Sequence, residues 1–358
     1  MKIKLFCLKC KSDLVSCEGE LICSACKSRY EVRGNIPCFT NLPYWGEVPP
    51  EEMRKINRFA KEKGWKEVLE ERLEPKNPVL YEYVAGKRRA NWHLLLPLTS
   101  ESRVLDLGAG WGSISFLLAP KCKEVVAVEG IYERAEFCEI KRTQEGIQNL
   151  QVIVADVTEL PLPKGYFDLI ILNGILEWVG LFGKEDPLAM QRKFLRNLWE
   201  LLGPGGYVYI GVENRYQYNS FFGGRDHTGL QFTNLMPRRI ANLYCKFSMQ
   251  NSPRTYNRLA SYRVYTHSYW DYKNLLHASG FSNVEIFAVL PGYNNPRILL
   301  PLDNSNILSY YLTCLHSFAT FLGKFLGYWA RILVKLGLAK LLVPDFSIIA
   351  QKEGLSDT

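Results

Sequence analysis

Residues 102–119 read SRVLDLGAGWGSISFLLA, and this stretch decides the fold. Its first half, Arg103 to Leu107, predicts a short buried strand, and the residues from Ser113 onward predict an apolar helix. Three glycines in alternate positions predict a tight turn between them. A glycine turn between a strand and a helix lets a ligand approach the backbone closely at the carboxyl edge of a parallel sheet.

The spacing of the glycines indicates which ligand the turn serves. A dinucleotide site has G-x-G-x-x-G and directs a helix N-terminus at a pyrophosphate, whereas the spacing here is G-x-G-x-G. Asp106 also lies two residues before the first glycine, Gly108. A carboxylate at that place suits a cationic ligand better than a phosphate.

The segments that follow repeat the strand-and-helix alternation. A second strand, CKEVVAVEG, ends at Glu129, and a third, LQVIVADVTELPLP, ends at Asp156. The fourth, YFDLIILNGILEW, is followed by Asn173 and Glu177, which we expect beside the ligand cleft. LWELLGPGGYVYIGVENR then predicts a helix end, a Gly-Pro-Gly-Gly turn and a fifth strand. This order predicts an α/β fold with a doubly wound parallel sheet.

The series from Asp106 to the Gly-Pro-Gly-Gly turn resembles the class I S-adenosylmethionine-dependent methyltransferases over about Arg89 to Lys352. The resemblance implies a seven-stranded Rossmann-like sheet whose last strand is antiparallel. It also implies that Asp106 and the glycine loop hold the amino-acid part of the cofactor, that Glu129 holds the ribose, and that Asp156 and the next amide hold the adenine. The cofactor-binding residues expected on this basis are Asp106, Gly108, Ala109, Gly110, Glu129, Asp156, Val157 and Asn173.

Six of the ten cysteines lie in the first 38 residues. Two CxxC pairs, Cys7/Cys10 and Cys23/Cys26, have the spacing of a tetrahedral zinc site, and the sequence between them predicts two short strands. Free or disulfide-linked cysteines are the alternative. The segment resembles the zinc-ribbon module found beside many methyltransferases, which implies a structural Zn²⁺. We read Cys17 and Cys38 as spare thiols, though either could replace a ligand.

The acceptor is expected after the fifth strand, in ENRYQYNSFFGGRDHTGLQFTNLMPRR. His227 is our candidate base because a histidine can titrate near neutral pH, with Asp226 and Glu213 as the other candidate catalytic residues. The alternative is that His227 caps a loop and does no chemistry. The candidate substrate contacts are Asn214, Arg215 and Arg225.

The net charge of +8 is uneven: residues 101–200 carry −4 and residues 201–300 carry +6, mostly as arginine among aromatic residues. Arginine binds phosphate well, so this region favours RNA, or a phosphorylated or lipid-linked glycan, as the ligand. The alternative is that it forms an ordinary solvent-exposed face. The GVENRY…DHTGL…LMPRR stretch, with LPGYNNP…LPLD, resembles methyltransferases of bacterial surface-polysaccharide assembly. That resemblance implies a saccharide hydroxyl as the acceptor.

A long insertion precedes the last predicted strand. Residues 306–337 have a helical period, a wide apolar face and no acidic residue, which predicts one or two basic amphipathic helices. These helices are expected to contact a membrane surface, or else the protein's own core or a dimer partner. The N-terminus lacks the features of a signal peptide, so we expect a cytoplasmic protein, either free or peripheral at the inner face of the membrane.

The predicted organisation is a zinc ribbon (1–40), a linker with helices (41–88), a methyltransferase domain (89–352) and a tail (353–358). The domain contains an acceptor-side region (201–280) and the helical insertion (304–343). The predicted function is methyl transfer to a hydroxyl of a saccharide or lipid-linked glycan. The alternatives are an RNA methyltransferase and a non-catalytic binding subunit with this fold.

Overall fold

The structure is a computed structural model that describes residues 3–181, 183–250, 262–314 and 321–354. Part of the predicted amphipathic insertion (315–320), two of the arginines of the basic region (Arg254 and Arg258) and most of the predicted tail lie outside these residues. The chain divides into two compact units. The first runs to Leu172 and includes Glu200–Tyr207. The second comprises Asn173–Trp199 and Val208–Glu353.

The first unit begins with a small antiparallel sheet of four strands in sequence order. The first two strands form the predicted hairpin, with Leu14 opposite Cys23. The two CxxC turns repeat one geometry, because the amide of Cys7 donates to the Ser12 carbonyl and the amide of Cys23 donates to the Ser28 carbonyl, both at 2.9 Å. The strands are β1 (Leu14–Cys17), β2 (Glu20–Cys23), β3 (Arg29–Arg33) and β4 (Ile36–Pro37).

The segment predicted as a linker with helices is packed against the rest of the unit. Its helices are α1 (Pro50–Lys63), α2 (Trp65–Val68) and α3 (Pro78–Ala85). Gly64, whose φ of 115° few other residues adopt, separates α1 from α2, and a π turn at Leu69–Leu73 follows α2. The apolar sides of these helices join a core that includes Trp111 and Phe137.

The large sheet of the first unit follows the predicted alternation. Its elements are β5 (Arg103–Leu107), α4 (Ser113–Leu118), β6 (Glu124–Glu129), α5 (Tyr132–Gln144), β7 (Leu150–Val154) and β8 (Phe167–Asn173, whose last residue belongs to the second unit). The strand order is β8-β5-β6-β7, and the three pairings are parallel, as predicted. The inner positions of β5 and β6 are almost all buried, as expected for a parallel sheet covered on both faces.

The second unit continues with helices and mainly antiparallel strands. Two of its elements, α6 (Pro187–Leu201) and β9 (Leu202–Glu213), share residues 200–207 with the first unit. The others are α7 (Tyr218–Phe221), α8 (Arg238–Gln250), α9 (Tyr269–Ala278), β10 (Ser282–Leu290), β11 (Ile298–Pro301), α10 (Ser305–Cys314), α11 (Phe321–Lys335), α12 (Ala339–Leu342) and β12 (Asp345–Gln351). The strand order is β11-β10-β12-β9, and β10 pairs antiparallel with both of its neighbours.

Three details differ from the prediction. The large sheet has eight strands among the described residues rather than seven, because Ile298–Pro301 adds an edge strand to β10. The Gly-Pro-Gly-Gly sequence lies inside β9, which already begins at Leu202. The described part of the insertion contains three helices rather than one or two.

None of the helices among the described residues is long and apolar enough to cross a membrane.

Candidate active site

The glycine loop of the first unit has the backbone that its sequence requires. Gly108, Gly110 and Gly112 have φ values of 66°, 61° and 78°, in the left-handed region that favours glycine. The amide of Ala109 donates to the carbonyl of Val128 at 3.0 Å, which ties the loop to β6. Gly108 and Ala109 are half-buried at the carboxyl end of β5, where the sequence predicts the cofactor, whereas Gly110 and Gly112 are buried.

Glu129 connects two pieces of this loop region. One carboxylate oxygen accepts from the Gly110 amide at 2.8 Å and the other accepts from the Ile131 amide at 3.0 Å. The side chain is buried, and the guanidinium of Arg134 lies 3.7 Å from it. A carboxylate oxygen has two acceptor positions, so Glu129 can hold the loop and still accept from a ribose hydroxyl.

Asp106 lies beneath the loop and is fully buried. Its carboxylate accepts from the Ser115 hydroxyl at 2.6 Å. Burial raises its pKa to about 6, although the Ser115 hydrogen bond and the charge of Arg89 act in the opposite direction. A cation bound nearby would therefore favour the ionised form of Asp106.

The remaining predicted cofactor residues occupy both units. In the first unit, Asp156 and Val157 follow β7 and are half-buried, and Oδ1 of Asp156 accepts from the amide and the hydroxyl of Thr158 at 2.8 and 2.7 Å. In the second unit, the amide of Asn173 donates to Asn294 Oδ1 at 3.2 Å. The side-chain oxygen of Asn173 is buried without a hydrogen-bond partner among the described residues, so it can accept from a ligand.

Residues of the predicted linker contact the loop region, which the sequence did not reveal. The indole N–H of Trp111 donates to Glu47 at 3.0 Å, and Arg134 lies 3.6 Å from the same carboxylate. Burial alone would raise the pKa of Glu47, but Arg134 and the Trp111 hydrogen bond lower it. Leu42 lies against Gly130, where an added Cβ would be 3.1 Å from Leu42 Cδ1. The linker therefore covers the residues that follow β6.

A polar cavity of 570 Å³ lies in the second unit, in the region predicted to bind the acceptor. Glu213 at the end of β9 and the loop after α7 form its wall. The lining residues are Glu213, Gln217, Asn219, Ser220, Phe222, Gly223, Gly224, Arg225, Asp226 and His227. The cavity thus brings together the three predicted catalytic residues and one predicted substrate contact.

Within the cavity, Nε2 of His227 lies 3.3 Å from Oε2 of Glu213. Burial alone would lower the pKa of His227, but the carboxylate of Glu213, assisted by Glu177 and Asp226, raises it to about 9. The imidazole is therefore a cation at neutral pH, which differs from the expectation that it titrates near neutrality. The ring of Trp178 packs against it with the ring centres 4.8 Å apart.

Glu177, which the sequence analysis placed beside the ligand cleft without a chemical role, is fully buried near His227. Neither of its carboxylate oxygens has a hydrogen-bond partner among the described residues. Burial raises its pKa to about 7, and the charge of His227 acts in the opposite direction. Burial and the charge of Glu213 likewise raise the pKa of Asp345 to about 7. The second unit therefore holds a buried group of acids around one histidine.

Asp226, predicted as a catalytic residue, makes its side-chain hydrogen bonds within its own loop. One carboxylate oxygen accepts from the amide and the hydroxyl of Thr228, and the other accepts from the hydroxyl of Thr233. These contacts close the loop on itself. Asp226 therefore shapes the cavity beside His227, and its hydrogen bonds are used within the loop.

Two of the predicted substrate contacts are engaged elsewhere. Asn214 is completely buried, and its amide donates to the carbonyls of Leu341 and Val343, both at 2.8 Å. Arg215 donates to the carbonyls of Asn234 and Met236, both at 2.9 Å. The structure thus uses both side chains to join chain segments. Arg225 alone of the three lines the cavity.

The four cysteines of the two CxxC pairs form one cluster. Their sulfur atoms all lie within 4.8 Å of one another, and Cys7 and Cys26 are 3.5 Å apart. Four thiolates around a Zn²⁺ at about 2.3 Å have similar separations, so this donor set fits the ion. Cys17 is exposed and lies outside the cluster, as does Cys38.

Comparison with known proteins identifies part of the chain. Residues 105–210 match the family model described as a methyltransferase domain. The chain is 29% identical to a malonyl-[acyl-carrier protein] O-methyltransferase of Geobacter sulfurreducens, over 42% of this chain and 59% of the relative. It is 32% identical to a trans-aconitate 2-methyltransferase of Paracidovorax citrulli, over 39% of this chain and 51% of the relative. The chain thus spans little more than half the length of these relatives.

Among solved structures, a phosphoethanolamine N-methyltransferase of Haemonchus contortus is similar with a TM-score of 0.44 and 15% identity, over 84% of this chain and 60% of the other. A S-adenosylmethionine-dependent methyltransferase of Aquifex aeolicus is similar with a TM-score of 0.42 and 13% identity, over 86% of this chain and 100% of the other. The similarity of residues 105–210 to a methyltransferase domain rests on the family match.

Proposed function

We propose that this protein, which contains a methyltransferase domain at residues 105–210, transfers the methyl group of S-adenosylmethionine to a hydroxyl of a saccharide or lipid-linked glycan. The observation that carries the proposal is the ion pair of His227 and Glu213 in a polar cavity whose lining includes the amides of Gln217 and Asn219 and the hydroxyl of Ser220. A hydroxyl acceptor loses a proton as its oxygen attacks, so this reaction calls for a base.

The methyl donor supplies a cationic sulfonium, and the chain supplies acidic and backbone groups where the resemblance implies they are needed. Glu129 holds the Gly110 amide in place and keeps acceptor capacity for the ribose. Burial raises the pKa of Asp106 and so disfavours its ionised form. A positive charge bound nearby would favour that ionised form. We assign both residues to cofactor binding on this basis.

His227 is the residue that we assign to proton removal. Because its pKa is about 9, most of the enzyme holds the imidazolium at neutral pH, and the small neutral fraction is a stronger base than an ordinary histidine. Glu213 then stabilises the imidazolium that forms when the hydroxyl proton is taken up. This arrangement favours a weakly acidic hydroxyl over an amine, which reacts without a base of this strength.

Three of the described arginines of the basic region have partners within the protein, which weakens the case for the RNA alternative. RNA held by its backbone needs several cations free to contact phosphates. Arg215 and Arg263 instead donate to backbone carbonyls, and Arg238 stacks on Tyr265 with its guanidinium 3.8 Å from the ring centre. Among the described residues that line the cavity, Arg225 alone carries a fixed positive charge, which is enough for one phosphate of a sugar phosphate.

A radiolabel assay tests the function. The protein is incubated with methyl-labelled S-adenosylmethionine and, separately, with a polar-lipid extract, a water-soluble glycan fraction and total RNA. Label in material that is released by mild acid and resists ribonuclease is the expected result. Label that ribonuclease removes would overturn the saccharide proposal in favour of RNA. Binding of the donor with no transfer to any fraction would favour the non-catalytic alternative.

We also propose that the cysteine cluster holds one structural Zn²⁺, because its four sulfurs fit a closed tetrahedral site with no open position for chemistry. Metal analysis of the purified protein should give one zinc per chain, and Cys10→Ser should lower this value. The matched control is Cys17→Ser, in the same module but outside the cluster. A zinc content well below one in the unmodified protein would reject the site.

The helical insertion is proposed as a peripheral membrane contact. In its described part, Tyr328 and Trp329 of α11 are 61% and 49% exposed, and such aromatics suit a membrane interface. The same face could instead meet a partner chain. Loss of co-sedimentation with anionic vesicles on deletion of 306–343 would support the membrane contact, and retention would contradict it.

A further inference from the structure

Helix α8 in the second unit has one buried face and one exposed apolar face. Its inner residues Ala241 and Cys245 pack with Tyr262, against Leu230 and Met236. Its outer residues Ile240, Leu243, Tyr244 and Phe247 are 54%, 56%, 39% and 67% exposed. These four positions have the i, i+3, i+4, i+7 spacing that places side chains on one face of a helix. We call them the outer stripe.

The outer stripe is suited to burial against another surface. Scattered exposed apolar residues are ordinary, whereas four large ones in register on a single helix form a contiguous patch, which marks an interaction site. Covering the stripe would remove its apolar surface from water, which favours association.

The charges around the stripe indicate what covers it. Arg239 and Lys246 are exposed on the same helix. The whole sequence from His227 to Trp270 contains six arginines and lysines and no aspartate or glutamate. The occupant must therefore be apolar where it meets the stripe and negatively charged beside it.

We propose that α8 lies in the plane of an anionic phospholipid surface, with the outer stripe among the acyl chains and with Arg239 and Lys246 at the headgroups. Amphipathic helices with basic polar borders bind membranes in this way. A second copy of this chain would place like charges opposite one another, and RNA offers no apolar surface for Leu243 or Ile240. An anionic bilayer supplies both the apolar interior and the negatively charged border that this surface needs.

This contact would act on the loop that forms the cavity. Leu230 and Met236, against which α8 packs, belong to the loop that follows His227. Thr228, in the same loop, bonds Asp226 beside the proposed base. Docking of α8 would therefore hold this loop at the bilayer surface. The docking itself does not depend on the proposed reaction, although it agrees with a lipid-linked acceptor.

Vesicle sedimentation of the full chain tests the proposal. The probes are vesicles of phosphatidylcholine alone and of phosphatidylcholine mixed with phosphatidylglycerol. We expect binding to the mixed vesicles and weakening by roughly tenfold or more in the double variant L243S/F247S. The double variant R239Q/K246Q should lose about fivefold per charge on the mixed vesicles, and added salt should reduce its difference from the unmodified protein.

The matched control is Val79→Ser, which removes a side chain that is 80% exposed on a helix of the first unit and should leave binding unchanged. Thermal melts show whether each variant folds. Unchanged binding of folded L243S/F247S would overturn the proposal, even if deletion of 306–343 abolished binding. A concentration-dependent dimer that this variant dissolves, without vesicle binding, would overturn it in favour of a second copy.

Discussion

The glycine-loop region of the first unit and the polar cavity of the second differ in the hydrogen-bond partners of the acidic side chains around them. In the first, Glu129 accepts from two backbone amides and Asp106 from a serine, so each carboxylate has a local partner. In the second, Glu177 has no hydrogen-bond partner among the described residues, and His227 forms an ion pair with Glu213 nearby. The first arrangement suits stable positioning, and the second suits proton transfer.

The two regions were also unequally predictable. The turn glycines and Glu129 are within about one βαβ unit of each other, so their proximity could be predicted from the order of the strands. Asn214 was expected at the substrate because it follows a strand, but its partners are Leu341 and Val343, more than 120 residues away. Glu47 was missed for the same reason, since nothing near it in sequence indicates its contact with Trp111.

Removal of His227 should abolish most of the activity and leave cofactor binding intact. His227→Ala should lower kcat by about 10²–10⁴-fold, because the proposed base is lost, and should leave the affinity for S-adenosylmethionine unchanged. His277→Ala, on α9 and bonded to the Phe281 carbonyl, is the control and should retain activity. Full activity of the His227 variant would return this residue to a loop-capping role.

The pH dependence of the same reaction tests the assignment of His227 as the base. Because the pKa of His227 is raised to about 9, the neutral base becomes more abundant as pH rises toward that value, so kcat/KM should increase between pH 7 and about 9. Glu213→Gln removes the carboxylate that raises this pKa and should shift the profile to lower pH. A profile that is flat over this range, or the same in both proteins, would contradict the role of the pair.

Glu177 should make the folded state sensitive to pH. Its pKa rises from 4.5 to about 7 on folding, so the folded protein binds this proton more tightly, and the free energy of unfolding should fall as pH rises from about 4.5 to 7. The effect is on the order of 3 kcal/mol. Denaturant titrations at several pH values should show a smaller slope for Glu177→Gln. Glu185→Gln, at an exposed site, should keep the original slope, and equal slopes in all three proteins would contradict the burial argument.

The smallest effect concerns the partner of Asp106. Ser115→Ala removes a buried hydrogen bond and should lower the free energy of unfolding by about 1–2 kcal/mol at pH 7. The loss should shrink near pH 4, where the Asp106 carboxyl is protonated, because the Ser115 bond favours the ionised form. Ser100→Ala, which changes an exposed hydroxyl, is the control. An equal loss at both pH values would show that Ser115 acts through packing.

Calorimetric titration with S-adenosylmethionine tests the central claim that the first unit binds the cofactor through the glycine loop and Glu129. The unmodified protein and His227→Ala should bind with similar affinity. Glu129→Ala should bind roughly a hundredfold more weakly, about 3 kcal/mol, because the ribose contact and the support of the Gly110 amide are both lost. Absence of binding by the unmodified protein, or equal binding by a folded Glu129→Ala variant, would contradict the account.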